Sequence, residues 1–302
     1  MRSFKFFIFV KKLMILSFFA RILQLFIGHT PHSLLFIWDY FIYFNAYRLI
    51  RYRLNVVRKN LHLAFPDKDD NFYKKTEKEF YHSFARMLMD IAINGVINKK
   101  ERLKHLQFEN IQNIKDYLDK GQNVMIVLGH LNSWSIQIIL SEILEAPVYF
   151  VYKPLSNKNI DKWVRLCPSA PNTIFMDNQS TAKTMFKVSK EGIPSVFVMI
   201  ADQSPAANTG IHWANFFNIN TPFYRGTEVL STKFKLPVFF AEIISEKPFK
   251  YRTKYQLIYD GKEKINDGEL TQRFAKILEE AIKSHPADYL WTHRRWKKII
   301  KY

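Results

Sequence analysis

The sequence predicts an α/β fold: a largely parallel sheet flanked by helices, with a helical region at the amino terminus. Two observations carry this. Short, continuous apolar runs such as VMIVLG (124–129) and SVFVMIA (195–201) suit strands buried on both faces. Segments with apolar residues at helical spacing separate those runs, and strand–helix alternation implies parallel strands covered by helices.

The elements follow in order. YRLNVVRKNLHLAFPD (52–67) and the segment after it read as two helices, split at Pro66 and the acidic turn DKDD. The second carries Phe80, Phe84, Met87, Leu88 and Ile91 as its apolar stripe. Asn110 to Lys120 reads as a short helix stopped by Gly121. Strand 124–129 then leads into a helix over 133–144, VYFVY (148–152) is a second strand, and 157–166 a helix. TIFM (173–176) is a third strand, with a helix over 179–190 ending near Gly192. Strand 195–201 opens into a long polar loop running to Tyr224. A helix covers Gly226 to Lys235, followed by strands VFFAEII (238–244) and YQLIY (255–259). The last helix starts near Asp267, a cap candidate, with Leu270, Phe274, Ile277, Leu278 and Ala281 on one face. No linker separates two globular parts. The division is a membrane-associating helical region over 1–50 and an α/β domain over 51–302.

Composition narrows the partners. Basic residues number 45 against 27 acidic, a net charge of +18, and aromatics reach 16%. Such a field attracts polyanions, whether nucleic acid or an anionic bilayer. Cys167 is the only cysteine, which excludes an internal disulfide and a multi-thiolate metal site. The amino terminus favours the bilayer. Residues 4–27 are strongly apolar but interrupted by Lys11, Lys12 and Arg21, and the longest uncharged stretch, Leu13 to Ala20, falls far short of the ~20 residues that span a membrane. No small-residue cleavage site follows. A second run over 33–50 holds Trp38, Tyr40, Tyr43 and Tyr47, residues suited to the headgroup layer. An in-plane or shallowly inserted helix anchored by cations fits this pattern, and a nucleic-acid binder has no use for it.

Four polar units can carry chemistry. GHLNSWSIQ (129–137) follows a buried strand, at the carboxyl edge where open α/β sheets place ligands. His130 in it is a candidate general base, with Asn132 and Trp134 shaping the mouth of the site. ADQSP (201–205) leaves another buried strand at the same edge and brings Asp202 and Gln203. FYRGTE (223–228) sets Arg225 at a helix start, a place for an anion. YLWTHRRW (289–296) brings Arg294 and Arg295 among aromatics, a composition that suits nucleic acid by stacking and equally phosphate or lipid headgroups. Each alone reads equally as turn chemistry or a solvated surface.

Together and in this order, these units resemble the lysophospholipid acyltransferase superfamily, above all its bacterial lipid A (lauroyl/myristoyl) acyltransferase branch. The likeness covers about residues 46–298 and includes YRLNVVRKNLHLAFPD, FFNINTPFYRGTE, LPVFFAEI and PADYLWTHRRWK. It implies acyl transfer at the cytoplasmic face of the inner membrane, from acyl carrier protein or acyl-CoA to a lipid acceptor, with no metal, no cofactor and no nucleic acid. It also implies a histidine base paired with a carboxylate five positions later. Here that position is Ser135, whose hydroxyl is expected to hold the imidazole but supplies no charge. Asp202 is the candidate to compensate. The family's arginine before the DQ strand falls on Lys183, which keeps charge without the planar fork. A relative that binds acyl lipids without transferring them is the alternative that these two departures favour.

Overall fold

The computed structural model describes residues 22–94, 96, 99–154, 170–206 and 210–302. The expected helix over 157–166, Cys167 and most of the apolar start lie outside them.

A seven-stranded sheet forms the centre, in the order β1-β9-β8-β2-β5-β3-β4. These are β1 (Leu106–Glu109), β2 (Val124–Leu128), β3 (Val148–Tyr152), β4 (Thr173–Asp177), β5 (Val196–Ile200), β8 (Val238–Lys247) and β9 (Lys250–Tyr259). All the pairings are parallel except β8 with β9. All five residues of β2 are buried, as its unbroken apolar run demands for a central strand with both faces covered. The antiparallel β8–β9 ribbon extends further than the apolar letters of 255–259 suggested. Its additional residues alternate buried with part-buried or exposed, and the latter are Lys and Arg.

The polar stretch before Tyr224 is not all loop. Residues Ile211–Phe216 (β6) and Ile219–Tyr224 (β7) pair as an antiparallel hairpin with Asn215 opposite Asn220. The two-residue turn has Phe217 and Asn218 both at positive φ, the geometry of a tight hairpin turn. Phe217 gives no glycine-like signal in sequence, so the turn was hidden. Phe216 and Phe223 are fully buried.

Helices α1 (Leu35–Tyr43), α2 (Leu54–Ala64) and α3 (Asp70–Asn94) precede the sheet. The later ones are α4 (Lys99–Leu103), α5 (Ile111–Asp119), α6 (Leu140–Leu144), α7 (Thr181–Glu191), α8 (Gly226–Phe234) and α9 (Glu269–Ser284). The expected helix over 133–144 divides into a 3₁₀ turn, Trp134–Ile139, and the short α6. α9 begins at Glu269 behind Gly268 in the left-handed conformation. Asp267 does not cap it but pairs with Arg225.

The stripe expected on α3 is only partly inside. Phe80 and Met87 are buried, but Leu88 is exposed. α3 instead buries a second, polar row: Ser83, Asp90 and Asn94. Each has a partner beyond the helix. Ser83 donates to Asp288 Oδ1 at 2.8 Å, Tyr251 donates to Asp90 Oδ2 at 2.5 Å, and Asn94 donates to Ser135 Oγ at 3.3 Å.

Of the aromatics read as headgroup residues, Tyr43 is buried and stacks on His82 with ring centroids 3.8 Å apart. Tyr47 donates to Glu77 at 2.8 Å. Those two belong to the α1–α3 packing. Phe36, Ile37, Tyr40, Phe41 and Phe44 stand exposed. Among the described residues, no helix is long and apolar enough to cross a membrane.

Candidate active site

The register of β2 and β5 builds the centre of the site. Leu128 pairs with Ile200 in parallel, so the residues two positions further on, His130 and Asp202, leave the sheet side by side. Asp202 accepts twice from the same residue: from His130 Nδ1 at 2.6 Å through Oδ1, and from the His130 backbone N–H at 3.0 Å through Oδ2. Gly129 lets Leu278 of α9 pack against this strand end, since a Cβ there would lie 2.6 Å from Leu278 Cδ1.

Asp202 is 2% exposed. Burial by itself pushes its carboxyl up. The charge and hydrogen bonds of His130, with the buried Arg295 adding its field, outweigh that and hold it at about 2. Asp202 is therefore ionised at neutral pH. It fixes the imidazole with its proton on Nδ1, leaving the Nε2 lone pair facing outward. Nε2 stands 3.1 Å from Gln203 Nε2.

The turn after His130 is braced from α3 and from the carboxyl-terminal segment. Asn132 adopts a left-handed backbone, φ 50°, which Asn tolerates better than most residues. Its backbone N–H and its side-chain amide both donate to Asp288, at 2.7 and 2.8 Å. Asn132 is 4% exposed, so it shapes the turn rather than meeting a ligand. Trp134 presents its ring edge-on to His130 at 5.7 Å. A small recess lined by Phe80, Phe84, Met87 and Leu290 reaches His130. A separate cavity of about 270 Å³, lined by Ile136, Asp90 and Tyr251, does not include His130.

Ser135 does not hold the imidazole. Its hydroxyl meets Asn94, while Nδ1 of His130 belongs to Asp202. The carboxylate that meets the imidazole comes from the end of the neighbouring strand.

Three cations read as anion-binding have other placements. Arg225 is paired with the buried Glu228 and the exposed Asp267. Glu228 also accepts from the backbone of Gly268 and Thr271 and so ties α8 to α9. Arg295 is 1% exposed, donates to the Pro222 carbonyl at 3.0 Å and lies over the Phe223 ring at 4.2 Å. It acts on Asp202 from behind rather than on a substrate. Lys183 is exposed on α7 beside Lys187 and Phe186 in a shallow hollow away from His130. Arg294 is exposed near the Tyr302 ring, and is the one predicted arginine whose charge faces solvent.

His293 was not singled out by sequence, although it stands in YLWTHRRW. Its Nε2 accepts the Ser204 backbone N–H at 3.0 Å, which requires a neutral acceptor nitrogen. Burial pushes it down to about 4. It holds the turn that carries Asp202 and Gln203. Among the described residues no three metal-ligating side chains stand together.

The family model described as bacterial lipid A biosynthesis acyltransferase matches residues 7–298. A lipid A biosynthesis palmitoleoyltransferase from Escherichia coli (strain K12) is 23% identical over 250 residues, covering 82% of this chain and 80% of the relative. A lipid A biosynthesis lauroyltransferase from the same strain is 22% identical over 262 residues, covering 83% and 81%. Among solved structures, the 1-acyl-sn-glycerophosphate acyltransferase from Thermotoga maritima aligns over 85% of this chain and 97% of its own, at 15% identity and a TM-score of 0.38.

Proposed function

Since the chain belongs to the bacterial lipid A biosynthesis acyltransferase family, we propose that it moves a fatty acyl group from a thioester donor, acyl carrier protein or acyl-CoA, to a lipid A-like acceptor. The work is done at the cytoplasmic face of the inner membrane. The observation that carries the mechanism is the His130–Asp202 pair at 2.6 Å, with Nε2 turned to the exposed Gln203.

An acceptor hydroxyl bound at Nε2 gives its proton to His130 as its oxygen attacks the thioester carbon. Asp202, already ionised, stabilises the imidazolium and keeps the ring aligned. The imidazolium then returns the proton to the departing thiolate. Arg294 is the exposed cation available to an anionic group of donor or acceptor. The aromatic strip of α1 and the segment after it, with the surrounding cations, rests on the bilayer.

The test is acyl transfer from a labelled thioester to extracted membrane lipid. His130→Ala is expected to lose about 100-fold or more, since general-base catalysis typically contributes that much. Retention of a tenth of wild-type transfer would sink the base assignment. The reading as a non-transferring lipid binder predicts silence from wild type as well, with acyl-lipid binding intact.

A further inference from the structure

Both ring nitrogens of His130 are occupied before any substrate arrives. Asp202 takes Nδ1, which leaves Nε2 as an acceptor. With that tautomer the Gln203 amide, 3.1 Å away, is the donor. The backbone on both sides of Gln203 is fixed. Asp202 is held by His130, and the Ser204 N–H by His293. Gln203 itself is exposed, so its side chain has room to swing while the backbone on either side stays in place.

A hydroxyl can reach the lone pair of Nε2 only by displacing that amide. We infer that Gln203 is a catalytic residue that caps the base at rest and donates to the thioester carbonyl oxygen during transfer. This rests on the reading of His130 as the base. The acceptor O–H bond breaks as its proton moves to Nε2, and the oxygen forms a bond to the thioester carbon. The carbonyl π pair moves onto oxygen, and the displaced Gln203 N–H binds that oxyanion. On collapse the carbonyl re-forms, the C–S bond breaks, and the proton on Nε2 passes to the thiolate. Trp134 Nε1, on the ring that meets His130, is enclosed and without a hydrogen-bond partner among the described residues. Gln203 is the donor on the open side, where a carrier-bound thioester arrives.

Gln203→Ala in the full chain is the test, because an exposed side chain can be removed with little cost to folding. Without substrate, the nitrogen-15 resonance of His130 Nε2 is expected to move downfield, as an acceptor nitrogen does when it loses a donor. In the transfer assay, kcat is expected to fall about 100- to 1,000-fold, the usual loss for one oxyanion donor, with KM for the thioester within about threefold. An unmoved resonance, or a kcat within about threefold of wild type, overturns the inference. Normal transfer by Gln203→Ala beside a silent His130→Ala removes this inference alone. Transfer surviving in His130→Ala removes the base reading beneath it.

Discussion

At the scale of residues, His130 and Asp202 are 72 positions apart in sequence yet share a hydrogen bond because their strands run parallel in register. Each follows its strand by two residues, so the pair needs no loop to fold back. Asp202→Asn keeps the size of the side chain but can turn its amide nitrogen toward Nδ1, which favours the wrong tautomer. Transfer is expected to drop by two orders of magnitude or more. Ser135→Asp is expected neither to raise wild-type transfer nor to rescue Asp202→Asn, because residue 135 faces Asn94. Recovery of transfer in the double variant, measured against Asp202→Asn alone, would show that a carboxylate at 135 reaches the ring. The sequence placed His130, Asp202 and Gln203 at one sheet edge by their position after apolar strands. It could not tell which of Ser135 and Asp202 holds the imidazole, since that depends on strand order. Nor could it tell a buried arginine from a solvated one. Arg225 and Arg295 looked like ligands for anions because Asp267 and the Pro222 carbonyl, which engage them, lie far off in sequence.

At the scale of elements, the central strands and α2, α3, α5, α7, α8 and α9 were legible because one period dominates each. Elements decided by tertiary pairing were not. β1 is four residues, LQFE, with no buried residue, and becomes a strand only because β9 offers it a parallel partner. The β6–β7 hairpin hid behind a turn without glycine. The α1 region shows the same limit. Its aromatic density was read as one surface, but Asp39 on its inner side meets His82 and Arg86 of α3 and turns Tyr43 inward. Only the outer residues remain for a membrane. Replacing Phe36 and Phe41 together by Ser is therefore expected to lower binding to anionic vesicles by at least tenfold while leaving the thermal midpoint within a few degrees. The counterpart Tyr43→Ser is expected to lower stability by about 3 kcal/mol. Vesicle co-sedimentation with melting curves for the same variants checks this. Unchanged sedimentation of the Phe36/Phe41 variant would remove the outer strip as a docking face.

At the scale of the whole molecule, buried ionisable groups of opposite tendency brace the same site from two sides. Burial pushes Asp90 up to about 7, against the lowering effect of the bond from Tyr251 and the charge of Arg86. The folded chain therefore holds a proton that the unfolded chain, near 3.9, releases. That contribution is fully present below about pH 3.9 and fades as pH rises to about 7. Burial moves His293 the other way, down to about 4 from an unfolded value near 6.5. Its contribution is present above about pH 6.5 and is lost as pH falls toward 4. At about 1.4 kcal/mol per unit, each group changes stability by a few kcal/mol across nearly the same window, with opposite sign. The two slopes oppose one another between about pH 4 and 6.5. Asp202, held at about 2, enters only below that window, where stability falls as pH drops from about 3.9. Asp90→Asn should therefore leave a protein whose urea midpoint rises with pH more steeply than wild type from 4 to 6.5. His293→Gln, which can still accept the Ser204 N–H through its side-chain oxygen, should leave one that rises less or falls. Other titrating groups are common to all three proteins and drop out when each variant's curve is subtracted from wild type. Urea midpoints at pH 4, 5.5 and 7 suffice. Difference curves that stay flat for both variants would mean that neither group changes its proton occupancy on folding.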